Sequence, residues 1–215
     1  MASEVDICNV ALGHLGDTGN VASLYPPEGS AQAEHCARFY PMARDSLLTL
    51  HTWSFATRRV PLAQLQSDVP GWGYAYTFPT DTLTVLAVQA LSDPDPVAGG
   101  LFNPTHPYVC ETNAAGNRTI YCNVPNAVMR GIFRVTSTER FTPLFTTALS
   151  WQLASMLAGP VIKGDEGRAE GKRCAQMMQA LLLQAVGHDT NQRDAKPKFT
   201  PSGILARGAG IAHDG

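Results

Sequence analysis

The sequence predicts an α+β fold: a four-helix bundle of two N-terminal and two C-terminal helices, an inserted and mainly antiparallel β region, and an extended C-terminal tail. Apolar residues recur at three- and four-residue steps near both ends of the chain but alternate singly through its middle. The closing stretch, DAKPKFTPSGILARGAGIAHDG from Asp194 to Gly215, shows neither period. The implied organisation is residues 1–59 as the first half of the bundle, 60–138 as the β insertion, 139–188 as the second half and 189–215 as the tail.

Ser3-Glu4-Val5-Asp6 reads as a capping box, in which the serine and the acid three residues on satisfy each other's orphan amides. Val5, Cys8 and Leu12 follow at helical spacing beside Ile7, Ala11 and Leu15, and Gly16 stops the helix. After a loop carrying Pro26-Pro27, a second helix starts near Ser30. Its apolar face is Ala33, Cys36, Tyr40, Ala43, Leu47 and Leu50. Pro41 lies inside it, where a missing donor and a steric clash cost about 3 kcal/mol in a straight helix, so a kink is expected.

From about Val60 the period changes to two. Tyr74, Tyr76 and Phe78 alternate, Pro79-Thr80-Asp81 breaks the run, and Leu83, Val85 and Ala87 alternate again. A loop with Asp93-Pro94-Asp95-Pro96 and Gly99-Gly100 follows. Tyr108–Thr112 and Thr119–Val124 flank Asn113–Asn117 as a hairpin. Ala127–Thr136 supplies one more strand, with Gly131 the candidate for a bulge.

Helices then return. Thr142 caps and Pro143 takes the first helical position. Phe145, Ala148, Leu149, Leu153, Met156 and Leu157 form a stripe that Gly159-Pro160 closes. Asp165 is the expected cap of the last helix, whose face is Cys174, Met177, Met178, Leu181 and Ala185 and whose stop is Gly187. Neither helical pair buries its stripe alone, so the four are expected to pack as one bundle.

With 215 residues, 44% apolar and 16% charged, the chain has the means for a real core. Its net charge of −2 argues against a broad basic surface that would grip duplex DNA through many phosphates. No apolar run has the length of a membrane span, and no charged-then-apolar signal opens the chain. Five scattered cysteines without a CxxC read as free thiols of a reducing compartment, although Cys110 and Cys122 could face each other across the hairpin.

No catalytic, cofactor or metal motif emerges. The six histidines show no zinc spacing, and there is no GxSxG, P-loop or dinucleotide fingerprint. His35 and Cys36 are adjacent on a helix, about 100° apart, the wrong geometry for a base and its nucleophile. Asp81 reads as a turn cap and Asp165-Glu166 as helix-dipole partners. The stretch from His51 to Arg59 is less ordinary. Trp53 and Phe55 have the size to lock the second helix onto the bundle, and Arg58 and Arg59 follow. Simple packing with a solvated arginine pair and a subunit contact both fit these four residues.

Five stretches taken in order resemble the head-to-tail adaptor, or tail tubular protein A, family of short-tailed bacteriophages. They are Ile7–Gly16; Cys36–Tyr40; Ala43–Leu48 with His51–Ala56; Trp72–Tyr76 with Pro79–Asp81; and Phe141–Phe145 leading into Leu149–Ala154. Pro41 departs from the smoother helix of that pattern. The resemblance implies a non-enzymatic structural protein of the virion, assembled from host cytoplasm into a ring, expected to hold twelve copies, below the portal. Such a ring extends the DNA channel and anchors the tail nozzle (a tail tubular protein B-like partner) and fibres, and genomic DNA passes without sequence-specific binding.

The tail has two prolines, four glycines and few apolar residues, too few to offset the entropy of ordering it alone. Either it is a loose end, or it docks on the portal or an adjacent subunit through Phe199, Ile204, Leu205 and Arg207. Two other function classes remain open on the sequence: a particle-associated cell-wall hydrolase, which needs converging carboxylates or a thiol–base pair, and a small DNA-binding regulator, which needs a basic helix face.

Overall fold

The computed structural model describes residues 2–66, 69–93 and 106–192. The fold is α+β, with four helices and two antiparallel sheets. Helices α1 (Glu4–His14) and α2 (Ala31–Thr49) come first. Among the described residues seven strands follow: β1 (Thr57–Pro61), β2 (Gln64–Leu65), β3 (Tyr74–Thr77), β4 (Thr82–Gln89), β5 (Tyr108–Thr112), β6 (Arg118–Cys122) and β7 (Val128–Phe133). Helices α3 (Pro143–Ile162) and α4 (Gly164–Asn191) close the described chain.

The N-terminal caps of α1, α2 and α3 form as the sequence implies. Ser3 Oγ accepts the Asp6 amide at 3.1 Å and Asp6 takes the Ser3 amide at 2.8 Å, completing the box. Ser30 and Thr142 accept from Ala33 and Phe145 in the same way. Helix α2 runs unbroken through Pro41. Its C-terminal face differs from expectation, because Leu50 is 59% exposed while Leu48 and Trp53 are fully buried. The chain turns after Thr49, and the indole takes the place the leucine was to fill.

At the C-terminal end four residues expected to punctuate the helices do not. Helix α3 continues through Gly159-Pro160 to Ile162. The reversal falls instead at Lys163 and Gly164, with φ of 64° and 61°. Lys163, not Asp165, occupies the cap of α4, and Asp165 pairs with Arg168 at 3.1 Å on the surface. Gly187 lies inside α4, which runs on past the expected end of the helical half to Asn191. A glycine costs a helix about 1 kcal/mol, less than the contacts made beyond it by Asp189.

Helix α3 is central, packed against α1, α2 and α4, while α1 and α2 touch each other little. All four helices feed one apolar cluster. Helix α4 approaches α3 closely: a Cβ on Gly167 would stand 2.8 Å from the Ala158 carbonyl. Its buried stripe is Gly167, Cys174, Met178 and Ala185, whereas the predicted Met177 is 40% exposed.

The strands make two sheets, ordered β1-β7-β4 and β2-β3-β6-β5. The first lies between the helices and a second apolar cluster that includes Tyr76, Ile120, Met129 and Phe133. The expected bulge at Gly131 is not on β7. Register slips fall opposite it on β4, between Thr82 and Thr84 and between Val85 and Ala87. A Cβ at Gly131 would meet the Thr84 carbonyl at 2.8 Å, so glycine here admits a neighbouring backbone. The slips also undo the simple alternation of Leu83 with Val85. Leu83 and Leu86 pack on the helical cluster, and Val85 and Val88 join the cluster between the sheets.

Candidate functional site

Of the residues singled out in the sequence, Trp53, Phe55, Arg58 and Arg59 are described, and Phe199, Ile204, Leu205 and Arg207 lie outside the described residues. Trp53 is fully buried and donates its indole N–H to the Leu47 carbonyl at 3.1 Å. Its ring stacks on Phe55 at 5.8 Å and meets Phe145 edge-on at 5.0 Å. This is interior packing. Arg58 and Arg59 belong to β1, opposite Gly131 and Arg130 of β7. The Arg58 guanidinium sits 4.2 Å from the centre of the Phe133 ring, and Arg140 reaches the Phe55 carbonyl at 2.9 Å.

The segment after α2 is fastened to the end of α4. Asp189, 1% exposed, accepts from the Ser54 amide at 3.0 Å, from Ser54 Oγ at 2.6 Å and from His51 Nε2 at 3.2 Å. Serine, histidine and aspartate thus meet, but both partners bond to the carboxylate and none of these bonds joins serine to histidine. In this geometry the three residues clamp the turn after α2 to the last turn of α4. Among the described residues no group of histidine, cysteine or acidic side chains is placed to hold a metal ion, and no helix is long and apolar enough to cross a membrane.

Buried ionisable groups are engaged with one another. Arg44, 6% exposed, bonds to Asp45 at 2.9 Å and approaches Glu4 at 3.9 Å, and Asp45 also receives Arg134 at 2.7 Å. Burial raises the Glu4 carboxyl above its ordinary range against the pull of Arg44. Cys36 is fully buried, and its hydrogen bond with Cys8, together with burial, holds the Cys8 thiol far above the usual thiol range. The same bond lowers the Cys36 pKa against the effect of burial, but both thiols are fully buried and lack the exposure of a nucleophile. All five cysteines are free; Cys110 faces Ile120 across the hairpin, and Cys122 faces Tyr108.

His14 stacks on Trp151 with ring centres 3.7 Å apart and planes 8° from parallel, and its Nε2 lies 3.1 Å from Ser150 Oγ. Arg173 of α4 covers Trp151 from 5.4 Å. Burial, with Arg173 adding to it, lowers the His14 pKa.

Two further surfaces stand out among the described residues. On α4 no Asp, Glu, Lys or Arg occurs from Cys174 to His188, although Met177 and Leu183 of that stretch are 40% and 75% exposed. On the four-stranded sheet, the face turned from the apolar cluster carries Leu65, Ala75, Tyr121 and Val109 in one cross-strand row and Thr77, Thr119 and Glu111 in the next. A cavity of about 340 Å3 opens on that face, and a second of about 410 Å3 adjoins it at Phe78, Asn117 and Arg118. Neither Glu111 nor Tyr121 stood out in the sequence. The alternation of Thr119 and Tyr121 against Ile120 and Cys122 would have marked a second buried face on β6. Asp189 could not be found that way, because its partners lie 135 and 138 positions distant.

The chain matches no protein-family model and no curated protein sequence.

Proposed function

We propose that this chain is a structural virion protein, a head-to-tail adaptor whose copies form a closed ring below the portal, extending the DNA channel and seating the nozzle and fibres. In this reading the four helices act as a single bundle around α3, and the chain has no catalytic role. The observation that carries the reading is the outer side of α4. A long helix that packs chiefly on one neighbour and lacks charge over its exposed middle is suited to meet another subunit. A ring needs a head-to-tail contact between two different faces, and the outer faces of α4 and of α1 and α2, which flank α3 separately, supply two such faces. The ordered resemblance of five stretches to the adaptor family supports the same reading, and the twelvefold count comes from that family. The tail, from about residue 193, docks on the portal or an adjacent copy, its ordering entropy met by contact.

Deletion of residues 194–215 tests this. The far-UV circular dichroism of the variant is expected to match the parent, and its attachment to portal-bearing capsids to be lost. Unchanged attachment contradicts the docking role.

A further inference from the structure

The outer face of the four-stranded sheet holds a cavity with a defined chemistry. Leu65, Val69 and Ala75 form an apolar wall, Thr119 and Tyr121 the floor, and Glu111 stands at the side. Tyr121 is 4% exposed, and its phenol finds no hydrogen-bond partner among the described residues. The phenol oxygen is not among the sealed polar atoms of the fold, so it is free to bond to an occupant of the cavity. Glu111 is exposed, and among the described residues its carboxylate forms no ion pair. Glu111 and Tyr121 are diagonal neighbours on adjacent strands, close enough for one ligand group to reach both.

An apolar wall leading to a carboxylate and a phenol oxygen is complementary to an alkyl chain ending in a cation. The stem would lie along Leu65, Val69 and Ala75, the charged head would bond to Glu111, and Tyr121 would contribute its oxygen and its ring. We propose that this cavity is the socket for a lysine of the C-terminal segment, residues 193–215, of a neighbouring copy of the chain. The inference rests on the reading of the protein as a self-assembling subunit and names where its tail goes.

Charge and length select this occupant. The segment carries Arg193, Lys196, Lys198 and Arg207 against only Asp194 and Asp214. Lys196 and Lys198 stand on either side of Pro197. Residues 193–215 span up to about 75 Å when extended, enough to cross to another subunit. Helix α4 ends beside Ser54 in the helical layer, whereas the socket opens on the outermost sheet beyond two layers of strands. A neighbour's segment can arrive from outside.

The test is a fluorescein-labelled synthetic peptide of residues 193–215, titrated by fluorescence anisotropy with the full-length protein at low ionic strength. Saturable binding is expected, weakened about fivefold by Glu111→Gln and by replacing both peptide lysines with alanine, and weakened also by Tyr121→Phe. Absence of saturable binding, or binding indifferent to all three changes, overturns the socket. Carbodiimide cross-linking of mixed isotopically labelled and unlabelled full-length chains then identifies the donor. Glu111 joined to Lys196 or Lys198 across labels supports a neighbouring copy, and links confined to one label overturn it. Light scattering on the same samples separates the two ideas: rings without this link sink the socket alone, whereas peptide binding by a chain that stays monomeric at every concentration sinks the ring.

Discussion

Ser54 Oγ donates a 2.6 Å hydrogen bond to Asp189, joining the turn after α2 to the last turn of α4 across 135 positions of sequence. The same carboxylate takes the Ser54 amide and His51. Asp189→Ala removes the shared acceptor of the Ser54 amide, the Ser54 hydroxyl and His51, at a cost of about 3 kcal/mol. The urea midpoint is expected to fall at unchanged slope, and Ser54→Ala to cost about 1 kcal/mol. A midpoint unmoved by Asp189→Ala would show that the clamp contributes nothing.

The Trp53 indole is interior, so Trp53→Ala acts on folding. Its loss of area and the cavity left behind predict about 4 kcal/mol of destabilisation in urea unfolding. A variant as stable as the parent that fails only in assembly would return Trp53 to the surface.

Lys163 adopts φ 64° and ψ 170°, a region that suits glycine alone. Lys163→Gly is expected to relieve this strain and raise stability by about 1 kcal/mol, despite glycine's greater freedom in the unfolded chain. Differential scanning calorimetry reads the gain as a higher Tm; a lower one contradicts the strain.

The stack of His14 on Trp151 predicts a pH dependence. With its pKa lowered in the fold, His14 stays neutral there at pH values where the unfolded chain has begun to bind a proton. Its contribution is therefore complete above the unfolded value of about 6.5 and is lost as pH falls below it. The Tm is expected to drop between pH 7.5 and pH 5.0, and to drop less in His14→Phe, which keeps a ring on Trp151 without the titration. Equal drops would remove His14 from the account.

Much of the fold is legible in the sequence because its signals are local. The capping box at Ser3, the Thr142-Pro143 start and the Tyr108–Thr112 strand with its Asn113–Asn117 turn all form as read. Failures occur where tertiary contact outweighs a local signal. Gly187 is held in helix by Asp189 beyond it, and the bulges on β4 answer Gly131, a residue on another strand. The candidate site was less legible. Trp53 was found, but its role as core or contact depends on Phe145, which arrives from ninety-two positions downstream in sequence. Glu111 and Tyr121 acquire meaning only when β2 and β3 cover them from the side.

The central claim is that this chain completes itself in a ring, and electron cryomicroscopy of the particle that contains it measures this most directly. The account predicts a closed ring of copies beneath the capsid's exit vertex, with the uncharged side of α4 against the next subunit. Copies absent from that vertex, or present there singly with the α4 side bare, would contradict it.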